Sequence, residues 1–167
     1  SVGPGGPISD RGPVMTSCHT PDRHIRCARS TDAGRVGAIL SEFIDTTPWM
    51  PRIHSRAQDL GFAGMMIERG WVSVVEQNGR VVGFIALDGP RVQALYVGAE
   101  ARGRGHGATL LKRAQAALDT LELWTFQANN CAQAFYRRHG FSEVERTDGA
   151  RNDEHLPDIR FLWERAV

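Results

Sequence analysis

Residues 94–111 read Ala-Leu-Tyr-Val-Gly-Ala-Glu-Ala-Arg-Gly-Arg-Gly-His-Gly-Ala-Thr-Leu-Leu, and this stretch constrains the chain more than any other. A β-prone apolar run ends at Val97, a short connection follows, and a glycine-punctuated loop opens into an amphipathic helix. A loop and helix N-terminus of this kind present free backbone N–H groups and the positive end of the helix dipole, a combination that binds phosphate oxygens. Gly103, Gly105 and Gly107 let the backbone approach an anion without a Cβ in the way. Arg102 and Arg104 add positive charge at the rim. The stretch therefore predicts a phosphate-bearing ligand.

Two familiar phosphate loops fit poorly. A Walker loop needs Gly-Lys-Ser/Thr, whereas Gly107-Ala108-Thr109 has no lysine. The dinucleotide fingerprint is met in form by Gly103, Gly105 and Ala108. It requires a tighter turn near the start of a βαβ unit and an acidic residue closing the next strand, and here Glu122 opens that strand instead.

Arg102-x-x-Gly105-x-Gly107, placed after Ala-Leu-Tyr-Val, resembles the acyl-CoA motif of the GNAT N-acetyltransferase superfamily, Gln/Arg-x-x-Gly-x-Gly/Ala. A second block, Asn129-Asn130-Cys131-Ala132-Gln133-Ala134-Phe135-Tyr136-Arg137-Arg138-His139-Gly140-Phe141, resembles that family's Asn-x-x-Ala-x-x-Phe-Tyr-x-x-x-Gly-Phe. The blocks stand in order at the family's spacing, and the resemblance covers roughly residues 25–166.

With 167 residues, 41% hydrophobic and 23% charged, the chain has enough material for one globular core. The net charge of +1 gives no reason to place nucleic acid or an anionic membrane among its partners. Cys18, Cys27 and Cys131 lack metal-site spacing, and with no signal peptide or long apolar run they read as reduced thiols of a cytoplasmic protein. Residues 1–22, rich in Gly, Pro and Ser, read as a flexible tail, partly foreign to the natural protein, with Met15 as a natural start; residues 23–167 form the domain.

Along that domain the pattern predicts a strand at 24–28, then a helix over 32–46 capped by Thr31-Asp32. Pro48 and Pro51 break the chain around exposed Trp49 and Met50 before a second helix near 55–67. Strands at 71–77 and 80–88 flank Asn78-Gly79, a type I′ hairpin signal. A strand at 91–97 follows the Asp88-Gly89-Pro90 turn. The glycine-loop helix buries Leu110, Leu111, Ala114, Ala117 and Leu118, and its crossover makes strand 121–126 parallel to 91–97. A short helix over 129–139 and an antiparallel pair at 141–147 and 158–164 complete a mixed α+β fold. The carboxy-terminal strand is read as an exposed edge that could pair across a homodimer.

The resemblance implies an acyl-CoA N-acyltransferase fold of about seven strands and four helices, its central parallel pair splayed to hold acetyl-CoA. On that resemblance the backbone of Leu95, Tyr96 and Val97 holds acetyl and pantetheine, with the Val97 N–H as oxyanion donor. The amides of Gly103, Arg104, Gly105, His106, Gly107 and Ala108 hold the pyrophosphate beside Arg102, and Asn129 bonds the pantetheine arm. Tyr136 takes the general-acid position, although it and Phe135 also read as core aromatics. Where some relatives carry a glutamate early in the fourth strand, this chain has Arg91, Val92 and Gln93. The base is therefore open among Glu76, Asp88, His54 and His155, with a water relay as an alternative. His106 and His139 read as solvent-facing or capping. Trp49, His54 and Glu76, with the loop 148–155, are the acceptor-site candidates; no metal site is expected. The implied reaction is acetyl transfer to a primary amine of a small molecule or protein. The competing class is a non-catalytic acyl-CoA sensor.

Overall fold

The computed structural model describes residues 22–167, so the tail reading for residues 1–22 and its Met15 start fall almost wholly outside the described residues. Strands β1 (Arg23–Cys27), β2 (Val72–Gln77), β3 (Arg80–Asp88), β4 (Arg91–Val97), β5 (Thr120–Phe126), β6 (Ser142–Thr147) and β7 (Asp158–Glu164) form one sheet. Helices α1 (Ala33–Thr46), α2 (Arg56–Glu68), α3 (His106–Ala117) and α4 (Asn130–Arg138) accompany it. The strand order is β1-β2-β3-β4-β5-β7-β6, with β4 and β5 the parallel pair. The mixed sheet of seven strands and four helices is the expected architecture.

The local signals act as their chemistry requires. Asn78 and Gly79 both adopt positive φ, 54° and 81°, which is the type I′ geometry. Ser55 accepts the Gln58 N–H while the Gln58 side chain accepts the Ser55 N–H, a capping box that starts α2. The start of α1 differs from expectation. Ser30–Asp32 form a 3-10 turn, and the Asp32 carboxylate accepts the Arg29 N–H at 2.7 Å. That carboxylate also binds Arg26, which holds it below its ordinary range. In α3, Leu110, Leu111 and Ala114 are buried as predicted, but Ala117 is exposed and Leu118 lies half-buried beyond the helix end.

The sheet is covered on both faces. Against one face, Leu110 and Leu111 of α3 and Tyr136 of α4 pack on Leu121, Leu123, Ile159 and Phe161. Against the other, Val36 and Ile39 of α1 and Ala63 and Met66 of α2 pack on Val74 and Phe84. The carboxy-terminal strand is not an edge. β7 lies between β5 and β6, which leaves β6 outermost and removes the strand pairing on which the homodimer reading rested. Among the described residues no helix is long and apolar enough to cross a membrane.

Helices α1 and α2 cross at Gly37, where an added Cβ would stand 3.0 Å from the Leu60 Cα. Backbone that close cannot be relieved by a rotamer change. Gly37→Val should destabilise the protein by about 1–3 kcal/mol through overpacking, seen as a lower urea midpoint with an unchanged m-value.

Candidate active site

The parallel pair at the sheet's centre touches at one place. Arg91 pairs with Glu122, the Glu122 N–H donates to the Pro90 carbonyl at 2.9 Å, and no further residues of β4 and β5 are in register. β4 remains laddered to β3 and β5 to β7 over their lengths. A register shift between Ala86 and Leu87 leaves Gln93 as an extra residue in β4, and such a bulge bends and twists its strand. The strands therefore diverge into a slot of about 80 Å³, lined by Gln93, Leu95 and Tyr96 on one side and Leu123, Trp124 and Thr125 on the other. Asn129 and Tyr136 close it from α4 and its approach.

Strand alternation decides which backbone groups face that slot. The Gly98 N–H donates to the Val82 carbonyl on β3 at 2.8 Å. The N–H and C=O of Val97, and likewise of Leu95, therefore point away from β3 and into the slot. The Arg102 Nε donates to that Val97 carbonyl at 3.3 Å. Tyr96 departs from the expected backbone role: its main chain pairs with Phe84, and its contribution here is the side chain.

At the end of β4 the glycine loop has the geometry of an anion cradle. Gly103 and Gly105 take φ of 79° and 83°, a region that favours glycine. Among the described residues, no backbone carbonyl accepts from the amides of 103–108. Six N–H groups leading into the N-terminus of α3, beside Arg102 and Arg104, are thus left without a backbone partner, a donor set that fits a pyrophosphate.

His106, the first residue of α3, is buried to 1% exposure, not solvent-facing. Its Nε2 meets the Gln77 Oε1 at 3.0 Å, and its Nδ1 is buried without a partner. Burial, reinforced by Arg23 and Arg104, lowers its pKa below the ordinary histidine value. His139 does cap: its Nδ1 lies 2.9 Å from the Phe135 carbonyl at the end of α4.

Tyr136 is 8% exposed between Phe135, Phe141 and Phe161. It is both a core aromatic and a slot residue. Burial pushes its hydroxyl well above the ordinary tyrosine value, with Tyr96 adding to the shift. Burial likewise pushes Tyr96 up to about 12, helped by the charge of Glu154. Asn129 accepts the Ala132 N–H at 3.0 Å as the cap of α4 while lining the slot.

On the α1/α2 side, a cleft of about 950 Å³ runs from Tyr96, Trp124 and Phe126 to the loop between β6 and β7. A second cavity of about 390 Å³ branches toward Met50, Ile53 and Phe62. Both reach Tyr96, Asp153 and Glu154, and Tyr96 also lines the slot between β4 and β5. His54 lines the branch, its Nε2 3.8 Å from Asp153. Trp49 is half-buried behind the cleft, edge-on to Phe43 and Phe126 at 6.4 and 5.8 Å. Glu76 stands elsewhere, bound to Arg26 near the sheet's β1 edge, and lines neither cavity. Asp88 and His155 also fall outside both linings. The loop's shape depends on Gly149 (φ 84°), where a Cβ would lie 2.2 Å from the Leu156 carbonyl oxygen. Asn152 closes the same loop by donating to that oxygen at 2.7 Å.

Sequence reasoning missed Gln93 and Trp124 as slot residues, whereas Asp153 and Glu154 of the expected 148–155 loop do line the cleft. Trp124 carried a signal: it alternates with buried Leu121 and Leu123, yet is itself 41% exposed on the slot rim. Gln93 carried none, because a bulge sets its place.

Comparison with known proteins agrees with this geometry. An acetyltransferase (GNAT) domain family matches residues 68–143. Peptidyl-lysine N-acetyltransferase YiaC of Escherichia coli is 33% identical over 146 residues, covering 81% of this chain and 94% of YiaC. The chain belongs to the GNAT family. Peptidyl-lysine N-acetyltransferase YjaB of Salmonella typhimurium is 32% identical over 78 residues, 47% of this chain and 53% of YjaB. The match thus spans about half the length of that GNAT relative. The solution structure of apo YjaB from Escherichia coli superposes with a TM-score of 0.71 at 22% identity, over 86% of this chain and 99% of that one. A structure of yncA from Salmonella typhimurium with its cofactor acetyl-CoA gives 0.68 at 19% identity, over 87% and 95%.

Within this GNAT site, His106 supplies a test of burial. An imidazole held below its ordinary pKa stays neutral in the fold while the unfolded chain takes up a proton near pH 6.5, so its contribution is present above that pH and fades below it. Melting temperature should fall between about pH 7.5 and 5.5, and His106→Leu should flatten that part of the profile.

Proposed function

We propose that this chain transfers an acetyl group from acetyl-CoA to a primary amine. The observation that carries the reading is the single contact between β4 and β5, which opens a slot lined by Tyr96 and Tyr136, with β4 leading on to the amide donors of the glycine loop. The backbone groups of Leu95 and Val97 suit the amides of a pantetheine arm, with Asn129 across from them. The amides of 103–108 with Arg102 and Arg104 suit the pyrophosphate. Reduced, exposed Cys27 and Cys131 fit a cytoplasmic setting.

Acetyl-CoA supplies an acyl thioester, an electrophilic carbonyl with a thiolate as leaving group. The Val97 N–H is aimed where negative charge develops on that carbonyl. Tyr136 holds a proton for the thiolate. A thiol resembling cysteine has a pKa of about 8.5, and a buried phenol above it donates only when the sulfur becomes anionic beside it. Because the shift is upward, Tyr136 keeps its proton through neutral pH and the pH–rate profile should show no loss from its ionisation below about pH 10.

The amine enters from the opposite face, past Tyr96. Asp148, Asp153 and Glu154 on the cleft walls suit a cationic acceptor, and a lysine side chain, with a pKa of about 10.4, arrives as one and releases a proton to water in the open cleft before its neutral nitrogen attacks the thioester. The names of YiaC and YjaB point the same way. A peptidyl lysine is therefore the acceptor we favour.

The test is calorimetric titration of acetyl-CoA followed by thiol release with lysine peptides and small amines. Binding with release that falls about 100-fold in Tyr136→Phe, at little change in donor affinity, is the expected result. Binding without turnover on any amine would instead favour a sensor that keeps the cleft and has lost the chemistry.

A further inference from the structure

Arg23, the first residue of β1, lies more than eighty positions from the glycine loop in sequence and directly against it in space. Its Nη2 donates to the Arg104 carbonyl at 2.7 Å. Its Nη1 donates to the Thr109 hydroxyl at 2.7 Å, and that hydroxyl donates to the Gly105 carbonyl at 2.8 Å. The guanidinium therefore gathers the carbonyls on one side of the loop.

A trans peptide is planar, with its C=O and N–H pointing in opposite directions. Fixing the Arg104 carbonyl on Arg23 consequently turns the Gly105 N–H outward. Glycines on either side of Arg104 allow many backbone orientations, so this direction needs an external hold. Arg23 forms no ion pair among the described residues, and its charge adds to those of Arg102 and Arg104 around the loop. Behind it, Gln77, the cross-strand partner of Arg23, holds His106 at the helix start. The β1–β2 end of the sheet thus grips the loop–helix junction at two points.

We propose that Arg23 is a positioning residue for the phosphate part of the donor: it presets the amide direction of the glycine loop and so selects donors that carry the pyrophosphate. The inference rests on the reading of that loop as the acetyl-CoA site. It concerns affinity for the phosphate-bearing end and leaves the thioester end alone.

The experiment compares the full chain with its Arg23→Ala and Arg23→Lys variants, using acetyl-CoA and the phosphate-free donor S-acetylpantetheine, with a fixed lysine peptide as acceptor. Arg23→Ala should weaken acetyl-CoA binding about tenfold or more by calorimetry, as expected for loss of two charge-assisted bonds. Turnover at saturating acetyl-CoA should stay within about twofold, and kcat/KM for S-acetylpantetheine should be unchanged. Lysine keeps the charge but cannot bridge both acceptors in a fixed fork, so Arg23→Lys should recover only part of the affinity. Should Arg23→Ala fail to fold, Thr109→Val, which removes one acceptor of the guanidinium, should show a smaller loss confined to acetyl-CoA. Unchanged acetyl-CoA affinity, an equal loss with S-acetylpantetheine, or full recovery by lysine would overturn the proposal. Failure of the unmodified protein to bind acetyl-CoA would instead overturn the underlying assignment of the loop.

Discussion

Everything in this site depends on a joint one residue pair wide. The sheet is two well-laddered blocks, β1 to β4 and β5-β7-β6, that meet at Arg91 and Glu122. Side chains reinforce the joint: Arg91 lies 3.4 Å from one Glu122 oxygen and Arg160 lies 3.2 Å from the other. These pairs are partly exposed and individually weak. Their place at the apex matters more than their strength, because beyond them the slot edges forgo ladder bonds that a closed sheet would make. The separate cores beneath α1/α2 and α3/α4 hold the blocks in position while the backbone groups between them stay unpaired.

The bulge at Gln93 does more than bend the strand. Counting back from Val97, alternation puts Val97 and Leu95 against the α3/α4 core, and Tyr96 and Ala94 against the α1/α2 core. Unbroken alternation through Gln93 would put Val92 with Ala94 on the α1/α2 side. The bulge takes Gln93 out of the alternation, so Val92 pairs with Leu87 and joins Leu95 on the α3/α4 side, while Gln93 lines the slot. The bulge therefore keeps the apex packed while Tyr96 faces the cleft beside α1. Tyr136 approaches the same slot from the other face of the sheet. Both tyrosines line that slot, and burial, with Tyr96 adding to it, holds the Tyr136 hydroxyl above its ordinary pKa.

Much of this was legible in the chain itself. The Asn78-Gly79 hairpin, the glycine loop and the helix that starts with it are dictated by residues adjacent in sequence, where backbone preference and apolar period act alone. What was hidden depends on tertiary partners. The insertion of β7 between β5 and β6 buries Ile159 and Phe161 beside Leu121 and Leu123 and leaves the polar β6 at the edge, an order set by long-range pairing and not by position in the chain. His106 sits in a loop motif that looks solvated, yet it is the first turn of a helix pressed onto Gln77. Glu76 looked free and is consumed by Arg26. Arg23 stood at the margin of an unpatterned tail, and only strand pairing carries it to the loop.

A glycine-rich loop presents a physical difficulty that this arrangement addresses. The freedom that lets Gly103 and Gly105 adopt positive φ also makes the loop costly to order. If a ligand had to impose the order, that cost would be subtracted from its binding free energy. Here the ordering accompanies folding. The Thr109 N–H and hydroxyl both bond the Gly105 carbonyl, the Arg102 side chain bonds the Val97 carbonyl, and the 3-10 turn at Ala99–Ala101 fixes the approach from β4. Carbonyls are occupied on the protein side, and the amides remain free on the other. That division of donors from acceptors holds a glycine-rich sequence in one arrangement, the one the proposed anion site requires, and it is achieved by contacts that draw on both the first strand and the central helix.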